Sequence, residues 1–178
     1  MSDAVVELVR QAQCARRENR LADAHRDLVK AVAAGRQVRA RRELILALKW
    51  LGQIERDLGR GDAARPLYEE VVAICREEGD PLMLAHTVRH LGDIHRDAGR
   101  LELAEPCYNE ALALYRHNEA SGPLDLANAI RPLAILKHDA GEAAQARRLW
   151  EEARDLYAAA NVKEGAAECS ARLARLGD

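Results

Sequence analysis

Residues 51–60 read LGQIERDLGR, and residues 91–100 read LGDIHRDAGR, so nearly the same ten-residue phrase occurs twice at a distance of 40 positions. Aligning the chain on the glycine that precedes the final arginine gives four anchors at intervals of 40, 40 and 42 residues: Asn19, Gly59, Gly99 and Gly141. Self-similarity at a fixed period is typical of repeat architectures, in which stacked units bury a shared core. The sequence therefore predicts a repeat protein over most of its length.

Small residues stand at two fixed distances from each anchor. Seven residues before the anchors lie Ala12, Gly52, Gly92 and Ala134, and five residues after them lie Ala24, Ala64, Ala104 and Ala146. Small residues at matched points allow two helices to approach closely, so these columns predict the crossing of a helical hairpin. Gly and Asn tolerate the left-handed conformation that ends many helices, so the anchors mark the turn. Four residues further on, large side chains fill the space between the two helices: Leu28, Tyr68, Tyr108 and Trp150.

Apolar residues at helical spacing support this interpretation, as in Ala47, Leu51, Ile54 and Leu58. We expect the first helix of each repeat, helix A, at 4–18, 40–58, 82–98 and 124–140. We expect the second helix, helix B, at 21–34, 61–78, 101–118 and 142–160. A ninth helix over 162–176 has the polar side that the end of a repeat array requires. Pro132 predicts a kink or restart of the fourth helix A near residues 128–131.

The pattern L-G-x-x-x-x-x-x-G, followed by Ala five residues later and Tyr or Trp four beyond it, resembles the tetratricopeptide repeat. The 40- to 42-residue length is similar to the longer variety of kinesin light chains and bacterial regulatory proteins. The resemblance implies an all-α, right-handed superhelical solenoid of helix-turn-helix repeats that forms a single domain over 1–178. Its repeats would cover 1–38, 39–79, 80–120 and 121–161, with a capping helix at 162–176. Where the family places an aromatic residue, this chain has Glu55, His95 and Lys137.

Composition excludes several classes of function. The chain has 27 basic and 29 acidic residues, which gives no general attraction to nucleic acid or to an anionic membrane. No run approaches the ~20 apolar residues of a membrane span, and Asp3 and Glu7 stand where a signal peptide would not carry acids. A cytoplasmic location is therefore expected. The four cysteines are far apart and form no C-x-x-C pair, so we expect reduced core thiols.

The side of each helix A opposite the core stripe carries a repeated set of polar residues. The candidate binding residues on this side are Lys49, Gln53, Arg56, Arg89, Asp93, Arg96, Arg131 and His138. The family resemblance implies that this side lines a concave groove, with basic ladders Lys49/Arg89/Arg131 and Arg16/Arg56/Arg96/His138. Asp57, Asp97 and Asp139 accompany the second ladder, so the alternative that the bases only pair with neighbouring acids stays open. The column Gln13, Gln53, Asp93 and Ile135 lacks the asparagine of the clamp that holds C-terminal carboxylates in some relatives.

The leading prediction is a non-catalytic protein-interaction scaffold that binds a peptide or partner segment in this groove, with an acidic segment as the candidate ligand. The alternative is a sensory or oligomerisation module that self-associates or regulates an attached effector. A third hypothesis is a metal-dependent enzyme centred on His86 and His90, with Asp93 and Asp97 on the same helical face. Arg89 and Arg96 interleave with that set and would pair with its carboxylates. No catalytic motif is present, so we expect no catalytic residue, metal or cofactor.

Overall fold

The computed structural model describes residues 2–38 and 40–176. This described part consists of nine α-helices and contains no strand. The helices are α1 (Ser2–Arg17), α2 (Leu21–Val38), α3 (Arg41–Asp57), α4 (Gly61–Glu78), α5 (Pro81–Asp97), α6 (Leu101–Arg116), α7 (Pro123–Asp139), α8 (Ala143–Ala159) and α9 (Lys163–Arg175). Every predicted helix is present, and its ends differ from the prediction by four residues at most.

The four predicted anchors end helices in the left-handed conformation. Asn19, Gly59, Gly99 and Gly141 have φ angles of 58°, 72°, 71° and 77°. At Gly59 the chain makes a paired turn, because Arg60 N donates to Glu55 O at 2.8 Å and Gly59 N donates to Arg56 O at 2.9 Å. These two bonds satisfy carbonyls that the helix end would otherwise leave without donors. Gly79 and Asn161 adopt the same conformation at the ends of α4 and α8, which the repeat alignment did not predict.

Helices α1–α4 form one compact unit that ends at Asp80. Within it α1 packs against α2 and α3 against α4 as hairpins, and α3 also contacts α1 and α2. The predicted close approach of α3 and α4 is confirmed at Gly52, where an added Cβ would lie 2.7 Å from Cε2 of Tyr68. Leu28 and Tyr68 are both about 1% exposed and fill the space between their hairpin helices.

Helices α5–α9 form a second compact unit that begins at Pro81, at the boundary between the predicted second and third repeats. Here α5 packs against α6, α7 against α8, α6 against α7, and α8 against α9. Gly92 repeats the contact of the first unit, because an added Cβ would lie 2.7 Å from Cε1 of Tyr108. Tyr108 and Trp150 are completely buried in one apolar core that also includes Cys169 of α9.

Helix α7 runs without interruption from Pro123 to Asp139 with Pro132 inside it. The helix therefore does not restart near residues 128–131, and the alternative of a kink there stays a prediction. Proline removes a single backbone donor, and the buried side chains of Ile130, Leu133 and Ala134 hold the turns on both sides of it against the core. No helix in the described part is both long enough and apolar enough to cross a membrane.

Buried charges occupy two of the positions where the family resemblance places an aromatic residue. Glu55 is 7% exposed and Lys137 is 6% exposed. Glu55 Oε1 lies 2.7 Å from Nε2 of His25 on α2, and Lys137 Nζ lies 2.6 Å from Oε1 of Glu105 on α6. Each pair joins helix B of one repeat to helix A of the next. Polar pairs therefore replace aromatic packing at these positions.

Candidate ligand-binding face

The predicted binding residues lie on three helices in two units, which are described separately. Lys49, Gln53 and Arg56 lie on α3, and we name them the α3 face. The α5–α7 face comprises Arg89, Asp93, Arg96, Arg131 and His138. All are half-buried except Asp93, which is buried at 8% exposure. The fully exposed surface expected of a solvated helix side is therefore absent from these positions.

Asp57 directly follows Arg56 of the α3 face and accepts hydrogen bonds from two neighbouring side chains. Asp57 Oδ2 lies 2.5 Å from Nε of Arg16 on α1, and Asp57 Oδ1 accepts a hydrogen bond of 2.7 Å from Gln53 Nε2. Burial opposes the charged carboxylate, but these two hydrogen bonds lower the pKa of Asp57 below its ordinary value. The Arg16 guanidinium also lies 6.0 Å from the centre of the Trp50 ring. At this position the ladder residue pairs with an acid of the next repeat, as the alternative interpretation predicts.

Asp93 is the centre of the α5 part of the second face. Its Oδ1 accepts a 3.0 Å hydrogen bond from the hydroxyl of Tyr108 on α6. Its Oδ2 lies 3.6 Å from Nη1 of Arg89 and 3.4 Å from Nδ1 of His90. Arg96 Nη1 lies 3.9 Å from Oδ1, so the predicted pairing of both arginines with Asp93 is confirmed. One buried carboxylate thus faces three basic side chains and one hydroxyl.

The electrostatics of this cluster follow from its burial. Burial disfavours the charged Arg96 guanidinium, but Tyr108, Asp97 and Asp93 together raise the pKa of Arg96 above its ordinary value. Burial and the charge of Asp93 raise the pKa of Tyr108, so its hydroxyl stays protonated and remains a donor. Arg96 Nη2 also lies 2.9 Å from Oδ1 of the exposed Asp97. The arginines are therefore charged but already in contact with carboxylates.

Arg131 of α7 binds a carboxylate from α9. Its Nε and Nη2 donate to the two oxygens of Glu168 at 2.9 and 3.0 Å, which is the bidentate geometry that guanidinium and carboxylate favour. The hydrogen bonds to Glu168 raise the pKa of Arg131. The sequence prediction missed this contact, because Glu168 lies 37 residues downstream on a helix assigned only a capping role. The repeat spacing was the one signal that could have placed the two helices together.

The surroundings of His86 and His90 do not support the metal hypothesis. The two rings meet edge to face with centroids 4.6 Å apart. Arg89 Nη2 lies 3.0 Å from His90 Nε2, where a cationic donor competes for the lone pair that a metal would need. Among residues 2–38 and 40–176, no three His, Cys, Asp or Glu side chains are grouped to hold an ion.

The cysteines are thiols without disulfides, as predicted. Cys75 and Cys169 are completely buried. Burial raises the pKa of each of these two thiols to about 11. The thiolate is the reactive and metal-binding form, and a raised pKa disfavours it. Cys75 and Cys169 therefore contribute to core packing.

Comparisons with known proteins bear on the repeat pattern. The tetratricopeptide repeat family model matches residues 43–117, which cover most of α3 and all of α4–α6. BtubC (BKLC) from P. vanneervenii is 20% identical with a TM-score of 0.76, over 98% of this chain and 80% of that one. A Podosopora anserina protein described as a kinesin light chain with nearly identical TPR-like repeats is 17% identical with a TM-score of 0.80, over 98% and 85%. None of the curated proteins matches the sequence significantly.

A third solved structure is a signal transduction ATPase with numerous domains from Pyrococcus horikoshii that carries a tetratricopeptide repeat sensor. It is 17% identical with a TM-score of 0.85, and the match covers 94% of this chain but only 26% of that protein. At these identities the likenesses establish the fold, which is that of the all-α helical-repeat solenoids. Residues 43–117 match the tetratricopeptide repeat model, and the predicted resemblance to that family is confirmed. Such repeats generally mediate protein–protein interaction and are typically non-catalytic.

Proposed function

We propose that the chain is a non-catalytic interaction module in which the α3 face of the first unit and the α5–α7 face of the second unit each bind acidic segments of a partner protein. The bidentate contact of Arg131 with Glu168 is the observation that supports this proposal. In this contact, one arginine of the ladder Lys49/Arg89/Arg131 already binds a carboxylate of the same chain. Lys49 and Arg89 occupy the corresponding positions of the two preceding repeats, 82 and 42 residues earlier in the chain.

The burial of these side chains decides how much each contact contributes. A charge-assisted hydrogen bond contributes ~1.5–3 kcal/mol when partly desolvated, whereas an exposed pair contributes at most ~1 kcal/mol. The Arg89 side chain is 17% exposed and that of Arg131 is 41% exposed, so both lie between these limits. Micromolar binding requires ~8 kcal/mol, which three such anchors supply when each is near the upper limit.

The test uses an acetylated, amidated hexaglutamate peptide as the probe and hexaglutamine as its neutral control. Calorimetry with the full chain compares wild type with a Lys49→Glu, Arg89→Glu double variant. We expect hexaglutamate binding that weakens as salt rises, because screening acts within ~10 Å, and we expect the double variant to lose it.

The matched control is an Arg26→Glu, Arg154→Glu double variant, which makes the same change in net charge. These two arginines lie on helices α2 and α8, one in each unit, and their side chains are 59% and 41% exposed. The control should bind hexaglutamate within about twofold of wild type, since neither residue is on a proposed face. Unchanged binding in a folded Lys49→Glu, Arg89→Glu variant, or binding that strengthens with salt, would contradict the proposal.

A second candidate is a sensory module, alone or as part of a larger assembly. Its support is the Pyrococcus horikoshii protein, which carries a tetratricopeptide repeat sensor and of which 26% matches 94% of this chain. Sedimentation velocity over a hundredfold range of protein concentration tests the self-associating form of this hypothesis. A constant monomer mass would contradict it. The cytoplasmic location stays a prediction.

A further inference from the structure

Asp93 stands out on the α5–α7 face because it is an acid among bases and is also the most buried residue there. Two guanidinium groups, Arg89 and Arg96, approach its two oxygens at 3.6 and 3.9 Å. Asp97, which lies outside this face, contacts Arg96 at 2.9 Å, so the two arginines lie beside two carboxylates. An incoming carboxylate therefore meets arginines whose charge is already balanced.

Asp93 is held in place from the core and cannot turn away from a ligand. The Tyr108 hydroxyl donates to its Oδ1 at 3.0 Å, and Tyr108 itself is completely buried. The Tyr108 ring is fixed in turn by Gly92, since an added Cβ at that glycine would lie 2.7 Å from Cε1. The carboxylate is thus positioned by α6 whether or not a ligand is present.

We propose that Asp93 is a specificity-determining residue of the α5–α7 face, a built-in carboxylate that competes with ligand carboxylates for Arg89 and Arg96. The inference rests on the proposed function and identifies Asp93 as the residue that weakens the binding of acidic ligands. In the matching column of the preceding repeat stands the neutral Gln53. With Asp93 in place, a weakly acidic segment gains little at Arg89, so the face discriminates in favour of segments that carry several carboxylates.

The experiment measures binding of hexaglutamate, and of a glycine-serine hexapeptide with a single glutamate, to full-length Asp93→Asn. The asparagine Oδ1 still accepts from Tyr108, so the substitution removes charge and keeps the shape. We expect roughly five- to tenfold tighter binding of hexaglutamate, the size of one unit charge acting over a few ångströms near the surface. Binding should also depend more steeply on salt than in wild type, which a merely structural role would not cause.

Asp97→Asn is the matched control, because it makes the same charge change one turn further along α5. The Asp97 side chain is 53% exposed, so screening should limit the effect of Asp97→Asn on hexaglutamate binding to less than twofold.

Asp93→Gln, which introduces the residue of the preceding repeat, provides a second variant if Asp93→Asn fails to fold. The single-glutamate peptide should bind wild type too weakly to measure and become measurable with either Asp93 variant.

The outcomes separate the two proposals. Hexaglutamate that binds wild type and both asparagine variants equally, or that gains as much from Asp97→Asn as from Asp93→Asn, overturns the role of Asp93 and leaves the proposed function standing. Hexaglutamate that binds none of these proteins overturns both. Tighter, more salt-sensitive binding confined to the Asp93 variants supports the inference.

Discussion

At the scale of single residues, Gly52 and Gly92 lack side chains because a tyrosine from helix B occupies the space. At Gly92 an added Cβ would lie 2.7 Å from Cε1 of Tyr108 and 3.1 Å from Cβ of Cys107. Contacts this short on two sides cannot be relieved by one rotamer change, because Tyr108 is itself buried. The repeated phrase of the sequence therefore encodes a close contact between two helices.

We predict that Gly92→Leu lowers the free energy of unfolding by ~1–3 kcal/mol or more through overpacking, and that Gly92→Ala lowers it by less. Urea denaturation measures both. Gly99→Ala is a useful comparison because nothing lies within 4 Å of its added Cβ, and its positive φ of 71° leaves backbone strain as the main cost, ~1–2 kcal/mol. Wild-type stability in Gly92→Leu would mean that α5 and α6 do not cross at this glycine.

The Arg16–Asp57 pair gives a pH-dependent prediction. The folded-state pKa of Asp57 is lowered, so its contribution to stability is complete above the ordinary carboxyl pKa of 3.8 and is lost as the pH falls through the folded value. Arg16→Gln should therefore be at most ~1 kcal/mol less stable than wild type near neutral pH, since both side chains are partly exposed. Denaturation at a series of pH values should show this difference shrinking below pH 3.8. A difference that grows on acidification would assign the effect to another group.

At the scale of helices, the boundaries could be predicted because single residues determine them. Gly or Asn in the left-handed conformation ends each helix A, and that requirement is visible in the letters alone. Two features of the helices could not be predicted from single residues. The continuity of α7 through Pro132 depends on tertiary packing. The burial of Glu55 and Lys137 depends on partners 30 and 32 residues earlier, which local pattern cannot supply.

The candidate face was predicted in part for the same reason. Helical spacing placed Arg89, Asp93 and Arg96 together and indicated their pairing, because those contacts lie within one helix. The hydroxyl of Tyr108 that fixes Asp93 comes from another helix, and so does Glu168, which binds Arg131. To predict either of these contacts, the relative placement of two helices must be known at atomic precision. Sequence spacing gives that placement only to within a helical turn.

Helix α9 gives a prediction at this scale. It has 13 residues, and an isolated helix of that length is marginal in water, so its order depends on docking. Docking requires Gly165, whose added Cβ would lie 2.7 Å from two atoms of the Tyr157 ring. We predict that Gly165→Leu speeds amide hydrogen exchange throughout α9 while α5 keeps its protection. Ser170→Leu, at an exposed site of the same helix, is the control and should leave α9 protected. Full protection of α9 in Gly165→Leu would show that this contact is not needed.

At the scale of the whole molecule, the chain divides into two compact units at residues 80 and 81, and each unit has its own tyrosine packed on a helix A glycine. In repeat proteins stability is approximately a sum of local terms between neighbouring repeats. The equivalent substitutions Gly52→Leu and Gly92→Leu should therefore have local consequences, although they remove the same kind of contact.

We predict that hydrogen exchange of the full chain, followed by mass spectrometry, separates the two substitutions. Gly52→Leu should lower protection mainly in α1–α4, and Gly92→Leu mainly in α5–α9, because each overpacks one unit. Tyr68 is 1% exposed and Tyr108 is completely buried, so both substitutions overpack a buried tyrosine. Equal loss of protection in all helices for both variants would show that the chain unfolds as one cooperative unit. In that case a ligand bound on the α5–α7 face would stabilise α1–α4 as much as α5–α9, whereas local unfolding confines the stabilisation to the unit that holds the ligand.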